Sequence, residues 1–165
     1  MQTRFRKPSA SLPVTFSLRS NDDGLQVGDF NGDGLADPAV FNAVTGAGEL
    51  TYSQGTFPDL VSKIANGLGG STTIRYQPST QCDNTCPIEQ VSKLPFVIPV
   101  VNQVTLDDGL GNTYTSTYFY RQGRYAAPTR EFRGFGQVEV RDPEANVSIA
   151  EFYQDEHKKG RPIRT

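Results

Sequence analysis

The sequence contains no tryptophan, one methionine and one histidine, and it has no long apolar run. A membrane-spanning helix needs about 20 consecutive apolar residues, so no such span is predicted. The segment from Met1 to Lys7 lacks the apolar stretch of a signal peptide, and export would depend on something outside it. With one histidine and no Gly-x-Ser-x-Gly sequence, the chain lacks the usual groups of a hydrolytic site. We therefore expect a protein that is not an enzyme.

An excess of charge of one sign is also missing. Sixteen basic residues stand against eighteen acidic ones, which gives a formal charge of −2. A chain of this balance offers no general electrostatic attraction to nucleic acid or to anionic lipid. Partners of those two kinds are not expected.

The best candidate for a catalytic carboxylate pair in the sequence is Glu131 with Glu139. If both lie on one strand, their even spacing puts them on the same face as Arg133 and Arg141. Cross-strand ion pairs are therefore a simpler expectation than catalysis.

Glycine, proline and aromatic residues are abundant where the rarer types are missing. The chain has 16 Gly, 11 Pro, 10 Phe and 7 Tyr, a composition that favours strands and tight turns over helices. The prediction is an all-β fold: a meander like a propeller blade with a calcium loop, followed by antiparallel β-hairpins that form a sheet.

The first part of the chain reads as short strands separated by Gly, Asp and Asn. The apolar runs are 14–16, 25–27, 39–41 and 50–52. This spacing predicts a β-meander, which we assign to a first domain over residues 1–56.

Longer paired runs follow after residue 56, and we assign residues 57–165 to a second domain, an antiparallel sheet. The predicted hairpins pair 60–64 with 72–76, 97–106 with 114–120, and 132–140 with 147–153. The run 60–64 also has the apolar spacing of a short helix, but the glycine-rich stop at 66–70 favours a strand. The segment 77–93 contains prolines and both cysteines, so we expect an irregular, exposed and mobile loop there.

The two cysteines, Cys82 and Cys86, lie in that loop. A disulfide is the favoured interpretation, and it would close a small ring worth about 2 kcal/mol on a chain-entropy model. Free thiols are the main alternative. A zinc site is less favoured because four ligands are needed and the one histidine, His157, is far along the chain. A disulfide would indicate an oxidising, extracellular destination.

The sharpest chemical motif is the nine-residue loop that begins at Asp29 and ends at Asp37. Side-chain oxygens occupy positions one, three, five and nine, and Ca²⁺ is a hard cation that takes six to eight oxygen ligands. The predicted ligands are Asp29, Asn31, Asp33, the Leu35 carbonyl and Asp37.

Three other interpretations fit this loop less well. An EF-hand needs a glutamate at the twelfth position, where this chain has Val40, so the loop is not an EF-hand. A turn without metal uses the same residue types, but four oxygen-bearing side chains at ligand spacing favour a cation. Magnesium is less favoured because it demands a rigid octahedral shell.

Residues 27–37 closely resemble an FG-GAP (VCBS-type) repeat, the calcium-loop element of integrin-like β-propellers. The chain downstream resembles the region that follows such repeats in the B component of Tc insecticidal toxin complexes and in SpvB-like virulence proteins, which are associated with Rhs/YD repeats. The similar stretches are 64–76, 94–96, 130–136 and 159–162. A closed propeller needs at least four blades, and only one repeat is recognisable here.

This resemblance implies a non-catalytic structural segment of a secreted bacterial toxin, linking a calcium-stabilised β-propeller to an Rhs-type shell. The implied partners are neighbouring domains of the same polypeptide or other toxin subunits. The alternative is a calcium-dependent adhesion or glycan-binding module, whose partner would be a host-surface glycan or protein.

Overall fold

The structure is a computed structural model that describes residues 23–55, 57 and 59–164. Contacts divide the chain into two compact units, with the boundary after Phe57. Within these described residues the regular structure of both units is β-strand, apart from one turn of 3₁₀ helix in the second. The predicted all-β class with antiparallel sheets is confirmed.

The first unit is a three-stranded antiparallel meander. Its strands are β1 (Asp23–Gly28), β2 (Asp37–Asn42) and β3 (Gly48–Leu50), in the order β1-β2-β3. The predicted runs 25–27 and 39–41 lie inside β1 and β2, whereas only the first residue of the run 50–52 is in a strand. The run 14–16 lies outside the described residues.

The second unit is a seven-stranded antiparallel sheet in which every strand pairs with its neighbours in sequence, in the order β10-β9-β8-β7-β6-β5-β4. The strands are β4 (Lys63–Ala65), β5 (Ser71–Pro78), β6 (Pro99–Asp107), β7 (Thr113–Ala126), β8 (Glu131–Arg141), β9 (Val147–Phe152) and β10 (Pro162–Arg164). The three predicted hairpins are present as β4–β5, β6–β7 and β8–β9. The run 60–64 forms a strand only from Lys63 onward.

Asp and Asn side chains build the turns of these hairpins. Asp108 accepts hydrogen bonds from the backbone N–H groups of Leu110 and Asn112 and from the Asn112 amide. Asp142 holds the β8–β9 turn through the same pattern. Such local bonds favour turns over continued strands, which explains why the sheet folds back at these residues.

The two faces of the seven-stranded sheet differ in charge. Directly paired residues share a face, so the register groups Ile64, Thr72, Leu106 and Tyr114 into one row on one face. The rows beyond it on that face, from β5 to β9, carry no charged residue: Ile74, Val104, Ser116, Tyr118, Val140, Ser148, Tyr120, Val138 and Ala150. The opposite face carries the charges: Lys63, Arg75, Asp107, Arg121, Glu139, Arg141 and Glu151. The first set is called the uncharged face below.

The loop between β5 and β6 is fastened to β7. It begins with the 3₁₀ turn Ser79–Gln81, and isolated bridges then join Asp83 to Arg121 and Lys93 to Arg124. The loop also has one antiparallel bridge of its own, between Thr85 and Ser92, so it is attached to the sheet and partly paired within itself. Its mobility stays a prediction.

Few apolar side chains are fully buried. Among the described residues the buried apolar side chains are Leu94, Val100 and Pro78, and the buried polar side chains are Asp37, Thr51 and Ser79. A sheet that leaves most of its apolar side chains half-exposed offers a large surface for contact with other protein.

Candidate functional site

The loop between β1 and β2 holds the predicted calcium ligands, and Asp29 organises its first half. The Asp29 Oδ1 atom accepts hydrogen bonds from the N–H groups of Gly32 (2.7 Å) and Asp33 (3.1 Å). Its Oδ2 atom accepts one from the N–H of Gly34 (2.8 Å). The loop therefore curls around one carboxylate.

Asn31 and Asp33 continue the curl. The Asn31 Oδ1 atom accepts the Asp33 N–H at 2.9 Å, and the Asn31 amide donates to Asp33 Oδ2 at 2.8 Å. Asp33 Oδ1 accepts the N–H of Leu35 at 2.8 Å. Gly32 and Gly34, with φ of 76° and 87°, adopt the left-handed conformation that this curl requires.

Asp37 lies at the base of the loop, where β2 begins opposite Gly28. Its side chain is completely buried. One oxygen accepts the N–H of Phe30 at 3.0 Å and the other the N–H of Ser53 at 2.7 Å. This carboxylate joins the acidic loop to the segment that follows β3. Because the carboxylate is buried, losing either hydrogen bond would leave a desolvated oxygen without a donor, which is energetically costly.

The structure thus places all five predicted ligands in or at the base of one loop, with their carboxylates turned onto backbone N–H groups. Across residues 23–55, 57 and 59–164, no group of three or more His, Cys, Asp and Glu side chains is arranged to hold a metal ion. The oxygen-only donor set is of the type that Ca²⁺ prefers. Calcium binding stays a prediction.

The cysteines are free thiols in the structure, each half-buried. Burial raises the pKa of the Cys82 thiol, and a hydrogen bond from the Gln77 amide opposes the shift. The N–H groups of Glu89 and Ile88 lower the pKa of the Cys86 thiol. The two residues line different clefts of the loop. The disulfide between them stays a prediction.

Glu131 and Glu139 both pair with cations, but not as expected from the sequence. Glu139 pairs with Arg141 at 2.9 Å and Glu131 lies 3.8 Å from Arg133, each within β8. Glu131 also pairs with Lys159. The expectation of ion pairs to neighbouring strands is wrong. Residues two apart on one strand point to the same side, so the long arginine side chains of β8 reach glutamates of the same strand.

The uncharged face is a surface feature that sequence reasoning missed. Tyr114 on this face is 44% exposed, and Phe119 on the opposite face, under the Arg141 guanidinium, is 41% exposed. The alternation in β7 is visible in the sequence, but the absence of charge across five strands depends on their register. Within the described residues no helix is long and apolar enough to cross a membrane.

The fold and this surface define the class: an all-β protein whose largest unit is an open antiparallel sheet with one uncharged face. The family model for the insecticide toxin TcdB middle/N-terminal region matches residues 2–161, and the chain belongs to this family. The Tc part of the sequence resemblance is thereby confirmed. The FG-GAP part and the likeness to SpvB stay predictions.

Solved structures of Tc toxins are similar to the chain. A crystal structure of TcdB2-TccC3-TEV matches 80% of the chain at 25% identity with a TM-score of 0.62. The Tc holotoxin pore of Photorhabdus luminescens matches 82% at 21% identity, and TcdB2-TccC3 without the hypervariable C-terminal region matches 82% at 23%, both with TM-scores of 0.62. The chain spans 7% of the length of each. A search of curated proteins gave no match.

Proposed function

We propose that the chain is a non-catalytic structural segment of the B component of a secreted Tc toxin, where it links a calcium-stabilised β-propeller to an Rhs-type shell. Its partners would be the rest of the B polypeptide and a C-type subunit, since the similar structures contain TcdB2 together with TccC3. The observation that carries this proposal is the uncharged, half-exposed face of the seven-stranded sheet. Such a face is typical of a surface that other protein covers.

Tyr114 and Phe119 provide a matched test of that proposal. Both are aromatic residues of β7 with nearly equal exposure, 44% and 41%, on opposite faces of the sheet. In a B component that carries this segment, Tyr114→Asp would place a charge in a covered apolar interface, which is costly. Phe119→Asp would place it on the face that already carries Glu139 and Arg141.

The measurement is co-purification of that B component with its C-type subunit, followed by size-exclusion chromatography. The unchanged segment should support the complex, Tyr114→Asp should weaken it, and Phe119→Asp should retain it. Failure of the unchanged segment to support assembly would contradict the structural role. Equal behaviour of the two variants would contradict the coverage of the uncharged face.

We further propose that the acidic loop binds Ca²⁺ through Asp29, Asn31, Asp33, the Leu35 carbonyl and Asp37. Asp29 and Asp33 supply charge in an exposed loop, and the cation would relieve the repulsion between these carboxylates. Because both accept backbone N–H bonds, binding requires their oxygens to share these donors with the ion or to turn from them.

Chelation provides the test of calcium binding. EDTA should lower the Tm of the wild-type chain, and Asp33→Ala should abolish that difference. Asp108→Ala is the matched control, because Asp108 accepts similar turn bonds in a hairpin without the calcium motif. That variant should keep the EDTA effect. An unchanged Tm after chelation, with no calcium binding by calorimetry, would contradict the proposal.

A further inference from the structure

The chain contains two Asn-Gly sequences, Asn31-Gly32 and Asn66-Gly67. An asparagine that precedes glycine can lose ammonia without an enzyme, because the backbone nitrogen of the glycine is held next to the side-chain amide carbon and no side chain blocks its attack. Both asparagines are exposed, so access to water does not distinguish them. Their hydrogen bonds do.

The Asn66 side chain folds back over the loop that joins β4 to β5. Its Oδ1 atom accepts the N–H of Leu68 at 2.8 Å and the N–H of Gly70 at 3.0 Å. A Cβ at Gly70 would lie 2.7 Å from the Asn66 amide nitrogen, so the glycine makes room for this conformation. Negative charge develops on Oδ1 when the Gly67 nitrogen attacks. Two N–H groups that already donate to this oxygen stabilise that charge, as in an oxyanion hole.

The attacking and leaving groups of Asn66-Gly67 are both free. Among the described residues, the Gly67 N–H has no hydrogen-bond acceptor and the Asn66 amide nitrogen donates no hydrogen bond. Gly67 is also exposed, so a base in the solvent can remove its proton. The loop therefore combines a polarised carbonyl, an accessible nucleophile and an unrestrained leaving group.

Asn31 has the opposite arrangement in the loop between β1 and β2. The N–H of Gly32, which would be the attacking group, donates to Asp29 Oδ1 at 2.7 Å. The Asn31 amide, which would be the leaving group, donates to Asp33 Oδ2 at 2.8 Å. Ring closure requires both hydrogen bonds to break, so the fold protects this asparagine.

We propose that Asn66 is a site of spontaneous deamidation, at which the folded chain converts its own asparagine to aspartate and isoaspartate. The Gly67 nitrogen loses its proton to solvent base and bonds to the Asn66 Cγ atom. The Cγ–Nδ2 bond then breaks, and the amide nitrogen gains a proton from water and leaves as ammonia. Water opens the cyclic succinimide at one of its two C–N bonds, which gives aspartate or isoaspartate. The reaction consumes only water, and the site is independent of the proposed toxin function.

Isoaspartate at this position would change the edge of the seven-stranded sheet. It adds a methylene group to the main chain directly after β4, where the Asn66 N–H donates to the Gly70 carbonyl at 3.0 Å and closes the loop. β4 is the outermost strand and pairs only with β5, through the residues Lys63, Ile64 and Ala65. A longer main chain disturbs this register, so the modification should release β4 and leave the edge of β5 open.

Peptide mapping of the 165-residue chain tests the assignment. The chain is incubated at about pH 8 in the presence of EDTA, so that calcium binding does not affect Asn31. The tryptic peptide 64–75 contains Asn66 as its only asparagine, and mass spectrometry follows the change from amide to acid. In the folded chain Asn66 should react about tenfold faster than Asn31, the ratio given by one hydrogen bond of about 1.4 kcal/mol on the attacking group. Equal rates, or a faster Asn31, would overturn the proposal.

The same measurement in urea separates the effect of the fold from that of the Asn-Gly sequence. Without the fold, the two asparagines should react at similar rates. Folding should slow Asn31 and should not slow Asn66. A lower rate for Asn66 in the folded chain than in urea would contradict the activation by the N–H groups of Leu68 and Gly70.

Two variants provide matched controls. Asp29→Ala removes the acceptor of the Gly32 N–H, so it should accelerate deamidation of Asn31 and leave the rate of Asn66 unchanged. An unaltered rate at Asn31 would show that this hydrogen bond does not protect it. Asn66→Gln should leave the peptide 64–75 unmodified, because glutamine forms the corresponding larger ring much more slowly. Acid formation in that peptide at the wild-type rate would overturn the assignment to Asn66.

Hydrogen exchange measures the effect on the sheet. The isoaspartyl form, separated by ion-exchange chromatography, should exchange its amides faster than the unmodified chain in the segment 63–74. Asn66→Asp, which has the added charge without the added methylene group, should exchange like the unmodified chain. Unchanged exchange in the isoaspartyl form would contradict the release of β4, and equally fast exchange in Asn66→Asp would assign the effect to charge and not to the longer main chain.

Discussion

At the scale of single residues, buried polar groups and close backbone contacts shape both units. Asp37 is the clearest case, because a fully buried carboxylate is tolerated only where its oxygens find donors, here the N–H groups of Phe30 and Ser53. The sequence motif assigned Asp37 to calcium from its spacing alone. It could not show the bond to Ser53, because that residue lies 16 positions away and contributes only its backbone.

Gly109 and Gly111 allow a prediction at this scale. Both have positive φ, 75° and 100°, so alanine at either site adopts a strained conformation worth about 1 kcal/mol. A Cβ at Gly109 would also lie 2.7 Å from the Gly69 carbonyl carbon, whereas one at Gly111 would have nothing within 4 Å.

Gly109→Ala should therefore lower the free energy of unfolding by about 1–3 kcal/mol more than Gly111→Ala does, because it adds overpacking to the same strain. Urea denaturation of the two variants measures the difference. Equal losses would mean that the loops 66–70 and 107–112 do not pack together in solution.

At the scale of elements, the hairpins were predictable because their turn chemistry is local. The period-two pattern at 114–120 and the Asp-Asp-Gly sequence at 107–109 are both readable within a few residues, and β6 and β7 follow them. Attachment of the loop 79–96 was not predictable in the same way. It depends on Gln122 and Tyr125, which donate to Asp83 and Lys93 from another part of the chain.

The two Asp–Asn turns predict how the sheet responds to acid. The side chain of Asn112 lowers the pKa of Asp108, and that of Asn146 lowers the pKa of Asp142, with backbone N–H groups adding to each effect. A carboxyl whose pKa is lower in the folded state stabilises the fold above its unfolded pKa, about 3.9 for aspartate. That contribution is lost as the pH falls through the lower, folded value.

Replacing both aspartates, as Asp108→Asn with Asp142→Asn, should therefore flatten the loss of stability on acidification below about pH 4. The urea midpoint, measured from pH 7 to pH 2, is the readout, and each single variant should give part of the effect. If the acid limb of the double variant matches that of the wild type, these turns do not contribute to it.

At the scale of the whole molecule, the all-β class followed from composition, whereas the uncharged face followed only from register. A shift of one residue between neighbouring strands would exchange Tyr114 and Phe119 between the faces. The alternation within β7 is visible in the sequence, but the turns determine which residue of the neighbouring strand lies opposite each residue of β7. The surface that supports the toxin role therefore emerged from the assembled sheet.

Two neighbouring loop tips at one end of the sheet carry exposed leucines. Leu68 and Leu110 are 90% and 86% exposed, and the neighbouring glycines Gly69 and Gly109 bring their loops into contact. Ile88 is as exposed, at 92%, but it lies in the loop between β5 and β6. Leu68 and Leu110 therefore lie on two loops that touch, whereas Ile88 lies on a different loop.

That difference predicts how the isolated chain binds an apolar dye. Contiguous apolar surface binds 8-anilinonaphthalene-1-sulfonate, whereas a single exposed side chain contributes little. The double variant Leu68→Ser with Leu110→Ser should therefore reduce dye fluorescence and raise the concentration at which light scattering detects association. Ile88→Ser, with one equally exposed side chain removed, should change neither. If Ile88→Ser has the larger effect, the apolar surface that governs association lies at the β5–β6 loop and not at the end of the sheet.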